Sequence, residues 1–474
     1  MDHNNVHLTA HSTFKIASIS VLVFLNLIGI ANIAGVINIA FATTSTPTIA
    51  DSNLQVQTVA TGLSLPTSIA FIGPNDILVL EKETGMVKRI KDGEVLPEPL
   101  LDVNVATESE RGMLGIDVLK LTSNLYYVFL YYTKAQSSDG GDPIANQLVR
   151  YLLINHPALG PAQGRMVAPK VLLNLPATPG PNHNGGKVVV GPDRNVYTVL
   201  GDLNRETQAQ NFENGPSPDG TSGILRVKQY GKTVGAGILG STHPLNKYFA
   251  YGIRNSFGID FDPVTGKLWD TENGPESNDE INLVEPGFNS GWADIMGMAP
   301  DGFDFNNLVS FGDRGRYSNP EFVWTESVAP TAIEFLTSSK LGTQYQNDMF
   351  VGDFNNGRIY RFDLNPQRTG LVLSGVLTDK IANTDSETQS VIFGEGFGGV
   401  TDLKVGVGDG YPYVLSISNG ALYKILPKAG LTASNDEFNQ EREQGQEDDD
   451  NELSNLLEEL DIPIADNDND ENER

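Results

Sequence analysis

GPNHNGGKVVVGPDRNVYTVLGD, residues 180–202, holds two β-branched runs, VVV and VYTVL, on either side of the turn GPDRN. Val, Tyr and Thr suit a pleated, packed surface. Gly, Pro, Asp and Asn suit a tight reversal between strands. The stretch therefore predicts a β-hairpin. His183 stands at its mouth, flanked by Asn182, Asn184, Gly185 and Gly186. The chain has six histidines, three of them before residue 12 and two directly followed by proline. His183 is thus singled out as a candidate for chemistry.

The same pattern recurs outward from this stretch. Residues 68–95, SIAFIGPNDILVLEKETGMVKRIKDGEV, read as strand, turn, strand, turn, strand. LGIDVL (114–119), LYYVFLYYTKA (125–135) and NQLVRYLLI (146–154) form a second group. The opening stretch with GILRVK (223–228) forms a third, and residues 257–274 with DEINLV (279–284) a fourth. DMFVGDFNNGRIYRFDL (348–364) and DLKVGVGDGYPYVLSISNGALYKIL (402–426) complete the set. No long run of helical periodicity interrupts them. Six groups, each of about four strands, predict an all-β fold: a six-bladed β-propeller of four-stranded antiparallel blades, spanning 54–430. A large β-sandwich is the alternative, and radial recurrence of one motif disfavours it.

The ends have different compositions. Phe14 to Ala42 is apolar and closes on Ala40-Phe41-Ala42, so 1–42 is expected to be a cleaved secretory signal or an uncleaved membrane anchor. Residues 43–53 are expected as linker. The stretch 431–474 is acidic and poor in apolar residues, and is expected to be a disordered tail. Either N-terminal alternative places the body outside the cytoplasm. The net charge of −28 disfavours nucleic acid as a partner. The absence of cysteine excludes disulfides, thiol catalysis and Cys-based metal sites.

Four loops carry uncommon polar content: ESERGMLGIDV (108–118), NHNGG (182–186), YGIRNSFGIDF (251–261) and TENGPESNDEINLVEPGFNSGW (271–292). In this order they resemble the soluble glucose and sorbosone dehydrogenases. The resemblance covers roughly residues 54–427. It implies a six-bladed propeller that oxidises aldose sugars with pyrroloquinoline quinone and calcium, handing electrons to an external acceptor.

By that resemblance His183 is the general base for the sugar C1 hydroxyl, and a neutral imidazole suits the role. Arg254 and Asn255 match the cofactor-contacting pair, and a guanidinium fork suits quinone oxygens and carboxylates. Gly274 and Pro275 match carbonyl ligands of a catalytic calcium. Asp279, Glu280 and the loop through Ser290 resemble a second calcium site. Oxygen ligands of this kind suit that ion. For each residue a structural role is the alternative: a turn histidine, an arginine paired with Glu280, a plain salt-bridged turn.

Four residues at the cofactor-contacting positions depart from the resemblance. Glu110 stands where related enzymes carry glutamine, Asn355 where they carry lysine, and Gly399 and Thr401 where they carry arginines. Arg358 and Lys404 are the nearby cations available to compensate. A propeller that has lost the quinone and binds sugar or protein without catalysis is the second expectation. A calcium-dependent lactone hydrolase is disfavoured, because no ring of inward carboxylates is evident.

Overall fold

The computed structural model describes residues 46–428. The expected leader and acidic tail lie outside the described residues. Among the latter, every element is a strand or a short 3-10 helix.

The strands form six sheets. The hairpin of residues 180–202 forms as expected, with Val188–Val190 paired antiparallel to Val196–Leu200. Gly223–Val227 and Tyr248–Tyr251 extend it outward. The first sheet starts at Pro66–Gly73, the second at Met113–Lys120, the fourth at Ser256–Phe261, the fifth at Pro330–Phe335 and the sixth at Val400–Val405. Each of these starting strands touches the corresponding strand of the next sheet, and the sixth touches the first.

Both faces of a middle strand are buried, so its alternate side chains serve two different cores. In Asp76–Glu81, Leu78 and Leu80 pack toward the second sheet, while Ile77 and Val79 pack toward the sixth. In Leu125–Ala135, Val128 and Leu130 join the first of these cores, while Phe129 and Tyr131 join the next. The pattern continues around the molecule. Ile224 packs with Ile259, Trp269 with Ile333, and Phe350 with Leu403. Leu415 and Leu422 then meet Ile69 and Val79, which closes the stack into an all-β propeller.

The expectation of uniformly four-stranded antiparallel blades is corrected. The sheets contain four, five or six strands. The third gains two short parallel strands, Phe288–Asn289 and Arg316–Tyr317, and the fourth gains a parallel strand, Ile381–Ala382. Runs of two residues add backbone hydrogen bonds to an exposed edge and leave almost no hydrophobic pattern in the sequence. Residues 43–53, expected as linker, contain the strand Thr48–Ile49, which pairs with Ile392–Glu395 of the fifth sheet. Leu54–Thr61 then pairs with Ala421–Pro427 and supplies the outer strand of the sixth sheet.

Side chains of the starting strands reach across to the next sheet. Thr67 Oγ1 donates to the Met113 carbonyl at 2.7 Å, Thr331 Oγ1 to Val400 at 2.5 Å and Thr401 Oγ1 to Pro66 at 2.9 Å. Carboxylates of Asp117, Asp260, Glu334 and Asp402 accept from the backbone N–H of Val190, Phe335, Val405 and Ile69 respectively. Lys187 pairs with Asp402, and Lys404 with Glu334 at 3.3 Å. Inward carboxylates are therefore present, contrary to the sequence expectation. Each is already met by a neighbouring strand, and two lysines sit among them.

Burial, and then Glu334, pushes the Asp260 carboxyl up to about 7. An unfolded aspartate titrates near ~4, so the folded state holds an extra proton between about pH 4 and about pH 7. Stability is then greatest at the acid end of that window and declines as pH rises through it. Circular-dichroism melts are expected to show a falling midpoint from about pH 5 to about pH 7.5, with a shallower fall for Asp260→Asn. Equal slopes would count against this role for Asp260.

Candidate active site

A cavity of about 550 Å³ opens at the end of the ring where the starting strands begin. Six of its lining residues, Thr67, Leu114, Lys187, Phe257, Thr331 and Thr401, stand near the start of the innermost strand in each sheet. The cavity is thus built by the ring itself. His183, Glu110, Arg254, Asn255, Gly274 and Asn355 also line it. Among the expected site residues, Pro275, Glu280 and Ser290 do not.

His183 is only 9 % exposed and adopts a left-handed backbone, with φ 62°. Its hairpin brings the chain back, so that Asp202 ends up beside the ring. The Nδ1–Asp202 Oδ1 distance is 2.5 Å. Trp292 Nε1 donates to the other Asp202 oxygen at 2.8 Å, and the Asn204 N–H donates to Oδ1 at 2.7 Å. With Nδ1–H given to the carboxylate, Nε2 is left as the accepting nitrogen.

Glu110 accepts the backbone N–H of His183 at 2.5 Å and that of Asn184 at 3.1 Å. The Asn255 amide reaches both of its oxygens at 3.3 Å. The carboxylate is therefore the anchor of the histidine loop, a role that the comparison with glutamine did not suggest. Burial pushes its carboxyl up, with His183 and the N–H donors opposing. A Cβ on Gly185 would lie 2.7 Å from the Val199 carbonyl, and one on Gly186 would lie 2.7 Å from the Leu114 Cβ. Close approach of the protein's own strands requires these glycines.

Arg254 does not pair with Glu280. Its Nη1 donates to the carbonyls of Asn273 at 2.8 Å and Gly274 at 2.9 Å, and its guanidinium lies 5.5 Å from the centre of the Trp292 ring. Asn355 donates to the Ser327 carbonyl at 3.1 Å. The two cations expected to compensate are committed elsewhere. Arg358 forms two bonds to Asp385, and Lys404 is buried against Glu334. Unpartnered acceptors face the opposite need: Asn255 Oδ1 and Asn273 Oδ1 are buried without a hydrogen bond.

Behind this wall lies a separate polar cluster. Ser290 Oγ donates to Glu272 at 2.5 Å and approaches Glu280 at 3.5 Å, and Asn282 donates to Glu280 at 3.0 Å. Asp270 is buried beside the Asn282 and Ser256 side chains, with neither carboxylate oxygen in a well-aligned hydrogen bond. Burial and mutual repulsion push Asp270 and Glu280 up, and burial pushes Glu272 up to about 7. Among the described residues, no three acidic or histidine side chains converge closely enough to enclose a metal by themselves. The expected metal residues therefore divide among the cavity lining (Gly274), an exposed position next to it (Pro275) and this buried cluster (Glu280, Ser290).

Sequence reasoning did not single out Asp202, Trp292, Asp270, Lys82 or Lys187. Asp202 had a readable signal, a carboxylate closing the hairpin whose mouth holds the histidine. Lys187 lies in the same stretch, whereas Lys82, Asp270 and Trp292 come from other segments.

An all-β propeller with a carboxylate-held histidine and an arginine-asparagine pair at one end of its ring defines the class. The chain belongs to the glucose/sorbosone dehydrogenase family, whose profile matches residues 63–424. It is 24 % identical over 386 residues to the aldose sugar dehydrogenase YliI of Escherichia coli, covering 80 % of this chain and 94 % of that protein. The PQQ-bound aldose sugar dehydrogenase of Streptomyces coelicolor shares the fold, with a TM-score of 0.58, 21 % identity, and coverage of 79 % of this chain and 98 % of that one. The apo aldose sugar dehydrogenase of Escherichia coli superposes with a TM-score of 0.59 at 22 % identity, covering 79 % and 100 %.

Glu110→Ala would leave two buried backbone N–H groups without acceptors, at about 1–3 kcal/mol each. Denaturant unfolding is expected to show a loss of about 2–4 kcal/mol, whereas Glu110→Gln, which keeps an acceptor oxygen, loses less than half of that. Similar losses for both substitutions would contradict the anchoring role.

Proposed function

We propose that this chain is an extracytoplasmic sugar dehydrogenase of a six-bladed propeller, acting on the C1 hydroxyl of an aldose. Its expected domains are a leader at 1–42, the propeller at 54–430 and an acidic tail from 431. The observation that carries the reading is His183, locked through Nδ1 by Asp202 and through its backbone by Glu110, in a cavity with Arg254 and Asn255.

The residues do the following. Asp202 holds the imidazole tautomer that leaves Nε2 free, and it stabilises the imidazolium once a proton arrives. The sugar C1 hydroxyl gives that proton to Nε2. Pyrroloquinoline quinone and calcium, when bound, supply the acceptor of the C1 hydride and a Lewis acid. The Arg254 guanidinium suits the carboxylate or quinone oxygens of a planar ligand, and the unpartnered Asn255 and Asn273 oxygens suit a donor such as a sugar hydroxyl. The Gly274 carbonyl is a hard oxygen suited to calcium, and it currently accepts from Arg254. The buried carboxyls of Asp270, Glu272 and Glu280 remain protonated or share a cation that takes its remaining ligands from other oxygens, such as Ser290 Oγ, since burial disfavours uncompensated charge.

A propeller that binds sugar without catalysis is the second reading. It is favoured by Asn355, Gly399 and Thr401 in place of cations, and by the commitment of Arg358 to Asp385. Purified protein with calcium and the quinone separates the two readings. The dehydrogenase reading expects sugar-dependent dye reduction, lost by ~10²–10⁴-fold in His183→Ala with quinone affinity unchanged. Sugar binding without reduction supports the second reading, and full activity in His183→Ala removes the histidine from its role.

Calcium is expected to raise the melting midpoint of EDTA-treated protein, by about 2.7 kcal/mol of stability at a hundredfold excess over its dissociation constant. Glu280→Gln is expected to reduce the effect. No shift at roughly ten millimolar calcium would rule out both sites at the affinities of extracellular modules.

A further inference from the structure

Three cationic side chains line the cavity: Lys82, Lys187 and Arg254. Two are already committed. Lys187 is paired with the buried Asp402, and Arg254 donates to two carbonyls of the 273–274 turn. Lys82 differs from both. Its ammonium has three donors, yet it reaches only the Thr107 carbonyl at 3.4 Å and the Glu83 carboxylate at 3.9 Å. Glu83 is itself half exposed, and such a pair is worth little.

The environment holds Lys82 in this state. Its side chain is only 13 % exposed. Its backbone is pinned on both sides: its N–H donates to Leu65, and its carbonyl accepts from Met113. Gly112 gives room for the stem, since a Cβ there would lie 2.6 Å from the Lys82 Cγ. Burial lowers the ammonium's pKa, with Glu83 and Glu110 pulling it back. A buried charge with so few partners carries an uncompensated desolvation cost, which an incoming anion relieves.

We infer that Lys82 is the anion-recognising group of this cavity, taking a carboxylate of the bound ligand in a role that Arg358 and Lys404 are too committed to fill. As a statement about the quinone, this rests on the dehydrogenase reading. As a statement about anionic ligands, it stands without it. The charge enters from the first sheet, beside the loop of Glu110, whereas Asn355, Gly399 and Thr401 belong to the fifth and sixth. The ligand's anionic edge is therefore held on the Lys82 side.

The test is an equilibrium titration of the full chain, with calcium, by pyrroloquinoline quinone and separately by its uncharged trimethyl ester. Wild type, Lys82→Met, Lys82→Arg and the control Arg358→Met are compared, each checked for fold by circular dichroism. Lys82→Met is expected to weaken the acid by about 10- to 100-fold and to leave the ester unchanged. Lys82→Arg retains most of the affinity, and Arg358→Met retains all of it. Unchanged binding of the acid in Lys82→Met overturns the inference, as does an equal loss for acid and ester, which marks a structural role.

A wild type that takes neither form of the quinone defeats the dehydrogenase reading instead. Citrate, added to EDTA-treated protein, then decides the inference. A melting midpoint raised in wild type and Lys82→Arg but not in Lys82→Met supports it, and no difference among them overturns it.

Discussion

Closure of the ring is the constraint on which the rest depends. A sheet buried on both faces needs a neighbour on each side, and an open row of such sheets leaves two apolar faces in water. Here the strand Leu54–Thr61 leaves the N-terminal end of the propeller and completes the sixth sheet beside Ala421–Pro427. The backbone ladder between chain ends thereby seals the core formed by Leu415, Leu422, Ile69 and Val79. Asp402 secures the same seam from inside, accepting from Ser68 Oγ at 2.6 Å and the Ile69 N–H at 2.9 Å.

The site follows from that closure. None of its parts is a local motif complete in itself. His183 comes from the head of the third sheet, its loop anchor from the loop that enters the second, and the arginine from the turn between the third and fourth. Only a closed ring brings these segments to one cavity. Gly201 shows how tight the assembly is, since a Cβ there would lie 2.5 Å from the Arg254 carbonyl and 2.6 Å from that of His183. Trp292 links the histidine's carboxylate partner to Arg254, donating to Asp202 while its ring lies beside the guanidinium.

Buried charge is distributed in two different ways. Around the channel, carboxylates are met by backbone N–H groups of the next sheet and by Lys187 and Lys404, so their charges help to hold the ring. In the cluster of Asp270, Glu272 and Glu280, hydroxyl and amide donors are too few, and Asp270 has Asn282 and Ser256 beside it without a well-aligned hydrogen bond. The first arrangement is self-sufficient. The second calls for protons or a cation. At the cavity wall Lys82 presents the opposite imbalance, a cation short of acceptors.

The sequence alone determined the all-β class, the recurrence of strand groups and the hairpin of 180–202, because alternating burial and turn chemistry are local properties. It also marked out His183, through the rarity of histidine and its glycine-rich surroundings, and the family resemblance placed Arg254 and Asn255 at the same site. It did not reveal the parallel strands at 288–289, 316–317 and 381–382, or the strand within 43–53, since two-residue pairings are decided by whichever edge lies nearby. The anchoring role of Glu110 was not legible in the sequence, because its partners are N–H groups 73 and 74 residues away. Asp202 lay within the quoted stretch, yet its contact with His183 exists only once the hairpin has folded. Arg358, Lys404 and Lys82 look alike as letters. Only tertiary structure decided which of them is spent on a carboxylate, which is locked in the channel and which still faces the cavity, because the electrostatics of a charge depend on what surrounds it in space.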